Sequence, residues 1–74
     1  MRRDVAERVN KLFLECFAKL DEVTAAIREH CSENERATYL RDIATINAEM
    51  LMALKPIYEV YPELMPPQLR TSER

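Results

Sequence analysis

The four residues Ser32-Glu33-Asn34-Glu35 decide how this chain is predicted to fold. A serine followed three residues later by a glutamate has the form of a capping box, in which the two residues satisfy each other's free backbone N–H groups where a helix begins. One long helical pattern ends just before this stretch, and a second begins within it. Because the turn between them is short, the sequence predicts two antiparallel helices.

The first predicted helix covers about residues 4–31, a stretch that contains no proline or glycine. Its apolar residues recur at spacings of four and three, which is the pattern of a helical stripe. The stripe is formed by Val5, Val9, Leu12, Cys16, Leu20, Val23 and Ile27, and is widened by Phe13 and Phe17. The opposite face carries oppositely charged residues four positions apart, which is typical of a solvated helix surface.

The second predicted helix covers about residues 33–55. Its apolar seam is formed by Tyr39, Ile43, Ile46, Met50, Ala53 and Ile57. Pro56 lacks a backbone N–H and disfavours helical geometry at Lys55, so the helix is expected to end or kink near residues 54–55. Proline also suits the first position of a helix, and a short helical segment is expected over about residues 56–61. Residues 1–67 form one predicted domain, and the polar residues 68–74 a flexible tail.

The composition agrees with this all-α prediction. The chain has 74 residues, 47% of them hydrophobic and 32% charged, and it contains neither glycine nor tryptophan. The absence of glycine removes the tight-turn chemistry of hairpins and excludes the glycine-rich loops that bind phosphate. The predicted fold is therefore an antiparallel two-helix hairpin with a short proline-broken C-terminal helical segment, which pairs into a dimeric four-helix bundle.

The prediction of a dimer comes from two apolar bands at the same height of the hairpin. Residues 12–18 and 50–54 are apolar nearly all the way round their helices. Two helices cannot bury each other on every side, so something more must cover the bands. A second copy of the chain is one cover, and residues 57–65 folding back over the hairpin are the other. Both covers can operate together, and a homodimer or higher oligomer is the primary expectation.

Fourteen residues make up the predicted dimer or partner interface. They are Leu12, Phe13, Cys16, Phe17, Leu20, Ile43, Ile46, Asn47, Met50, Leu51, Met52, Leu54, Tyr58 and Tyr61. Asn47 lies within the apolar arc of its helix, where a polar residue either fixes the register of a dimer or points to the edge and reaches water. Met52 and the two tyrosines are the better candidates for contact with a protein partner.

The histidine and cysteine residues, which could act in catalysis or bind a metal, occur in patterns that favour structural roles. His30 and Cys31 are adjacent and point about 100° apart on a helix, without the spacing of a metal site or of a nucleophile and its base. Cys16 is predicted to be a small buried hydrophobic residue. It lies too far along the helix from Cys31 for an intrachain disulfide. No catalytic residue, metal or cofactor is predicted, and the chain is not expected to be an enzyme.

Charge and hydropathy narrow the class of partner. The formal net charge is −2, so there is no basic excess to favour nucleic acid, and no apolar run is long enough to span a membrane. A cytoplasmic location is expected. The predicted function is a non-enzymatic, self-associating helical module for protein interaction, such as an adaptor, a chaperone-like protein or a small regulator. The alternative is a nucleic-acid-binding hairpin dimer that acts through Arg28, Arg36 and Arg41.

Overall fold

The computed structural model describes residues 1–70, with the side chains of residues 68 and 70 excepted. It contains two long helices, α1 over Arg3–His30 and α2 over Glu33–Val60. A 3₁₀ turn follows at Pro62–Leu64, and a single-turn helix, α3, lies at Pro67–Arg70. The two long helices pack against each other as a hairpin. The prediction of an all-helical hairpin is confirmed.

The capping box at the start of α2 is present, as predicted. The Glu35 backbone N–H donates to Ser32 Oγ at 3.3 Å, and the Ser32 backbone N–H donates to the Glu35 carboxylate at 2.9 Å. The bond from the Ser32 backbone N–H, followed by one from the Ser32 side chain, lowers the pKa of Glu35, because each favours the charged carboxylate. The connection between the helices is limited to Cys31 and Ser32. So short a turn makes the two helices antiparallel neighbours.

The end of α2 differs from the prediction. The helix runs through Pro56 and ends at Val60, instead of ending near residue 55 and restarting as a separate short segment. Proline in a helix interior removes one backbone hydrogen bond and costs about 3 kcal/mol relative to alanine. Leu54 and Ile57, on either side of Pro56, are both buried. Packing on both sides of the proline therefore outweighs the local cost and keeps one helix.

The core lies at the end of the hairpin away from the turn. Leu54 and Ala6 are fully buried there, together with Ile57 and Tyr58. Ala6 follows the predicted stripe residue Val5 by one position and so lies about 100° round α1 from it. Val5 is 38% exposed, whereas Ala6 is 0% exposed. The face of α1 that is buried is therefore rotated away from the centre of the predicted stripe.

The chain after α2, residues 61–70, is called the C-terminal segment below. It folds back over one face of the hairpin, and Tyr61, Leu64, Met65 and Leu69 pack against the core. Of the predicted intramolecular cover, residues 57–65, only residues 61–65 fold back in this way, because residues 57–60 belong to α2. Leu69 falls within the predicted tail but contacts the core, and residues 71–74 of that tail lie outside the described residues.

Candidate functional site

An apolar groove runs along the hairpin on the face that the C-terminal segment leaves uncovered. Its volume is about 580 Å³, and it is called the open groove below. It is lined by Leu12, Glu15, Cys16, Lys19, Leu20 and Val23 of α1 and by Ile46 and Met50 of α2. Leu12, Val23 and Ile46 are each between 45% and 47% exposed in the single chain. Large apolar side chains grouped in this way mark an interaction surface more often than isolated ones do.

Two oppositely charged side chains lie among the apolar residues of the open groove. Glu15 and Lys19 are one helical turn apart on α1, and both are exposed. Lys19 Nζ lies 3.4 Å from a carboxylate oxygen of Glu22, in an ion pair whose side chains are 78% and 68% exposed. Such exposed pairs contribute little to folding stability, so these charges remain available to a binding partner.

Cys16 corrects one prediction. It was expected to be a buried core residue, but it is exposed and lies in the open groove. The physical reason is the rotation of α1, which turns Ala6 and Asn10 towards the interior and leaves the Leu12 and Cys16 side of the stripe outside. Cys16 and Cys31 are both free thiols.

On the opposite face of the hairpin, a buried polar network holds the C-terminal segment against the two long helices. Asn10 is 7% exposed, and its Nδ2 donates to the backbone carbonyl of Leu64 at 3.2 Å. The Tyr58 hydroxyl donates to Asn10 Oδ1. Burial raises the pKa of Tyr58, because it disfavours the phenolate. One asparagine therefore links α1 to α2 and to the C-terminal segment.

A second set of contacts joins the C-terminal segment to the start of α1. Arg3 forms an ion pair with Glu63, and its guanidinium carbon lies 5.5 Å from the centre of the Tyr61 ring. The Tyr61 hydroxyl donates to the Met1 carbonyl at 3.1 Å. The pKa of Glu63 is lowered by a hydrogen bond from its own backbone N–H and by the bond from Arg3. The same bond, with one to Glu7, raises the pKa of Arg3.

The C-terminal segment does not seal this face completely. One cavity of about 500 Å³ is bordered by Leu51, Met52, Lys55, Tyr58, Glu59, Met65 and Leu69. A second, of about 420 Å³, is bordered by Leu14, Phe17, Ala18, Asp21, Asn47, Leu51, Pro66 and Leu69. Both cavities share Leu51 and Leu69, so they adjoin each other beside the short helix α3.

The structure distributes the predicted interface residues over two faces. In the open groove lie Leu12, Cys16, Leu20, Ile46 and Met50. In the core or packed against it lie Phe13, Phe17, Leu54, Tyr58 and Tyr61. Along the cavities beside the C-terminal segment lie Asn47, Leu51 and Met52. Ile43 is buried at 8% exposure. The predicted set therefore does not form one continuous surface.

Asn10 was missed by the sequence reading, although a signal for it exists. Ala6, Asn10, Phe13 and Phe17 follow one another at spacings of four, three and four, so they share one face of α1. A polar residue between an alanine and two phenylalanines on one helix face indicates a buried hydrogen bond. Most of the valine, isoleucine and leucine residues of α1 lie on the neighbouring face, and their spacing centres the predicted stripe there.

The three arginines of the alternative hypothesis lie near the turn or beyond it, and two of them have partners within the chain. Arg36 donates to the Arg28 carbonyl at 3.5 Å, where α1 ends. Arg41 lies 3.8 Å from the Asp42 carboxylate, and both side chains are exposed. Nucleic-acid binding through these residues stays a prediction.

Residues 1–70 contain neither a membrane-spanning helix nor a metal-binding cluster. None of the described helices combines the length and the apolar character needed to cross a membrane. Among the described histidine, cysteine and acidic residues, no three are grouped so that they could hold a metal ion. Neither a family model, nor a curated protein, nor a solved structure matches this chain. The candidate site therefore rests on the geometry of the open groove.

Proposed function

We propose that this protein is a non-enzymatic, self-associating helical module for protein interaction, acting as an adaptor, a chaperone-like protein or a small regulator. Its working form in this proposal is a dimeric four-helix bundle, to which each copy contributes α1 and α2. The observation that carries the proposal is the open groove, in which Leu12, Val23 and Ile46 are nearly half-exposed although they lie between two packed helices.

The size of the core supports self-association. The fully or nearly fully buried apolar residues in the described part of the chain are Ala6, Ile43, Leu54, Ile57 and Tyr58. A chain of fewer than about 80 residues rarely draws more than about 3–5 kcal/mol from its own core, and oligomerisation is one common remedy. Burying apolar surface contributes about 25 cal/mol per Å², so covering the groove with a second copy adds to the stability of both.

The lining of the open groove supports a binding role over turnover. Six of its eight side chains are apolar or thiol groups, and the other two are the exposed charges of Glu15 and Lys19. Such a surface suits the packing of another helix, whose apolar residues fill the groove while charged residues meet at its rim.

The test is the mass of the full chain in solution, measured by light scattering over a dilution series. We expect the wild-type protein to reach about twice the 8.7 kDa of one chain. Ile46→Glu places a charge in the groove and is expected to shift the protein to a monomer. Met52→Glu is the matched control, because Met52 is an exposed apolar residue of α2 outside the open groove.

Two results would contradict this proposal. The first is a wild-type protein that stays a monomer at every concentration. The second is a dimer that Met52→Glu disrupts and Ile46→Glu leaves intact, since this would place the interface on the face of the C-terminal segment. Circular dichroism of each variant confirms that helix content is unchanged.

A further inference from the structure

We infer that the second copy binds antiparallel along α1, on a two-fold axis that passes between residues 17 and 18. This inference rests on the proposed self-association and adds the orientation and register of the partner. The evidence is the arrangement of the groove residues along both helices, together with the charges of Glu15 and Lys19.

The six groove residues of α1 are placed symmetrically along the helix. Each has a counterpart at the same distance on the other side of the midpoint between residues 17 and 18. The three pairs are Leu12 with Val23, Glu15 with Leu20, and Cys16 with Lys19. A two-fold axis requires that one surface patch be complementary to itself, with residue i of one copy against residue j of the other and the reverse. An antiparallel partner centred on this midpoint brings these pairs together, and the apolar ends Leu12 and Val23 then face each other twice.

The α2 residues of the groove are centred at the same height. Ile46 and Met50 lie two positions either side of Ala48. Phe17 and Asn47 border one cavity on the other face of the hairpin, so the midpoint of the α1 set is level with this part of α2. A single two-fold axis that lies in the interface and runs across the hairpin, at right angles to both helices, can therefore pass over the centre of both rows.

Charge distinguishes the antiparallel arrangement from the parallel one. With the axis between residues 17 and 18, Glu15 of one copy lies within one residue, about 1.5 Å along the axis, of the position facing Lys19 of the other. Two such contacts of opposite charge form in each dimer. In a parallel pairing at the same height Glu15 would face Glu15 and Lys19 would face Lys19, and like charges at an interface disfavour binding. Both side chains are exposed in the single chain, and Lys19 can reach these contacts by exchanging its exposed ion pair with Glu22.

The test uses two charge reversals in the full chain, Glu15→Lys and Lys19→Glu. Each variant alone carries charges of one sign at both positions, so we expect its dimer dissociation constant to rise about tenfold or more. Mixing the two variants pairs positive with negative positions, and we expect the mixture to form a heterodimer at concentrations where each variant alone is a monomer. Sedimentation velocity of the separate and mixed proteins measures this. The double variant Glu15→Lys/Lys19→Glu, with both charges exchanged in one chain, is expected to form homodimers again.

The outcomes separate this inference from the proposed function. If the wild-type protein dimerises and neither reversal weakens it, or the mixture shows no preference for the heterodimer, the antiparallel register is wrong and self-association stands. If the wild-type protein does not associate at any concentration, both proposals fail. Thermal unfolding followed by circular dichroism checks each variant, and a reversal that unfolds α1 is replaced by neutral Glu15→Gln or Lys19→Gln, for which an intermediate loss of affinity is expected.

Discussion

Asn10 lies where the C-terminal segment meets both long helices. Its amide donates to the Leu64 carbonyl and accepts from the Tyr58 hydroxyl, so both of its polar atoms are used within the chain. Among the described residues, no buried side-chain nitrogen or oxygen lacks a hydrogen-bond partner. Removing one member of this network leaves the others buried without a partner, which costs about 1–3 kcal/mol for each group.

The same substitution at two asparagines tests this account of the network. Asn10→Leu is expected to lower the free energy of unfolding by at least about 2 kcal/mol, because it leaves both the Tyr58 hydroxyl and the Leu64 carbonyl without a partner. Asn47→Leu is the matched control and is expected to raise that free energy or leave it unchanged, since Asn47 is half-buried beside Phe17 and Leu69. Urea unfolding of both variants gives the comparison, and equal losses would contradict a specific role for Asn10.

The Glu63 carboxylate accepts a hydrogen bond from its own backbone N–H and pairs with Arg3, so the attachment of the C-terminal segment depends on pH. The pKa of Glu63 is lower in the folded protein than its ordinary value of 4.5. The stabilisation is therefore fully present above pH 4.5 and is lost as the pH falls through the lowered pKa. We expect Glu63→Gln to be less stable than the wild-type protein at pH 7, with the difference shrinking towards pH 3.

Glu35 also has a lowered pKa, but it is common to both proteins, so the difference between them isolates Glu63. Urea unfolding at pH 7, 4 and 3 measures this difference. A gap that stays constant over this range would show that the Glu63 carboxylate does not contribute through its charge.

At the scale of the element, the start of α2 depends on its capping box. Ser32→Ala removes the acceptor for the Glu35 backbone N–H and is expected to lower the free energy of unfolding by about 1 kcal/mol. Thr38→Ala is the control, because Thr38 is exposed within α2 and its hydroxyl bonds the Asn34 carbonyl of its own helix. Alanine is the better helix former at that position, so no loss is expected there. Thermal unfolding of both variants measures these effects. If Ser32→Ala were as stable as the wild-type protein, the capping box would not contribute to the stability of the fold.

Local sequence patterns predicted the helix boundaries well where interactions between neighbouring residues determine them. The capping box and the apolar spacing place the end of α1 and the start of α2 within one residue of where they lie. Pro56 shows where such patterns fail, since a local rule ends the helix there and α2 continues to Val60. The burial of Leu54, Ile57 and Tyr58 comes from contacts with α1 and the C-terminal segment, and a local pattern carries no information about them.

The buried face of α1 could be predicted only in part, because it too depends on contacts between elements that are distant in sequence. Periodicity reports that a helix has an apolar side, but α1 is apolar nearly all round between residues 12 and 18. The part of this arc that faces the core carries Ala6, which is fully buried, and Asn10, which accepts a hydrogen bond from Tyr58 of α2. Both residues contribute little to a hydrophobicity pattern, although they lie on the buried face of the helix.

At the scale of the whole molecule, the two apolar bands expose side chains on both faces of the hairpin. The C-terminal segment covers one of these faces. Leu64, Met65 and Leu69 reach the core from beyond α2. The sequence indicated that something must cover the apolar bands, but both a second copy of the chain and its own residues 57–65 agreed with the apolar pattern. The fold-back depends on where the turn after Tyr61 directs the chain, which is a tertiary property. The open groove on the other face remains the surface that we assign to a second copy.

Reactivity of Cys16 towards a thiol reagent tests that assignment most directly. Cys16 lines the open groove and is exposed in the single chain, whereas Cys31 lies at the turn and serves as an internal control. Labelling of the full chain at several protein concentrations, followed by mass spectrometry of the peptides, gives the two rates separately. We predict that Cys16 becomes at least about tenfold slower to react as the protein concentration rises past the dissociation constant, while Cys31 does not change. A Cys16 rate that is independent of concentration in a protein that forms dimers would contradict the account.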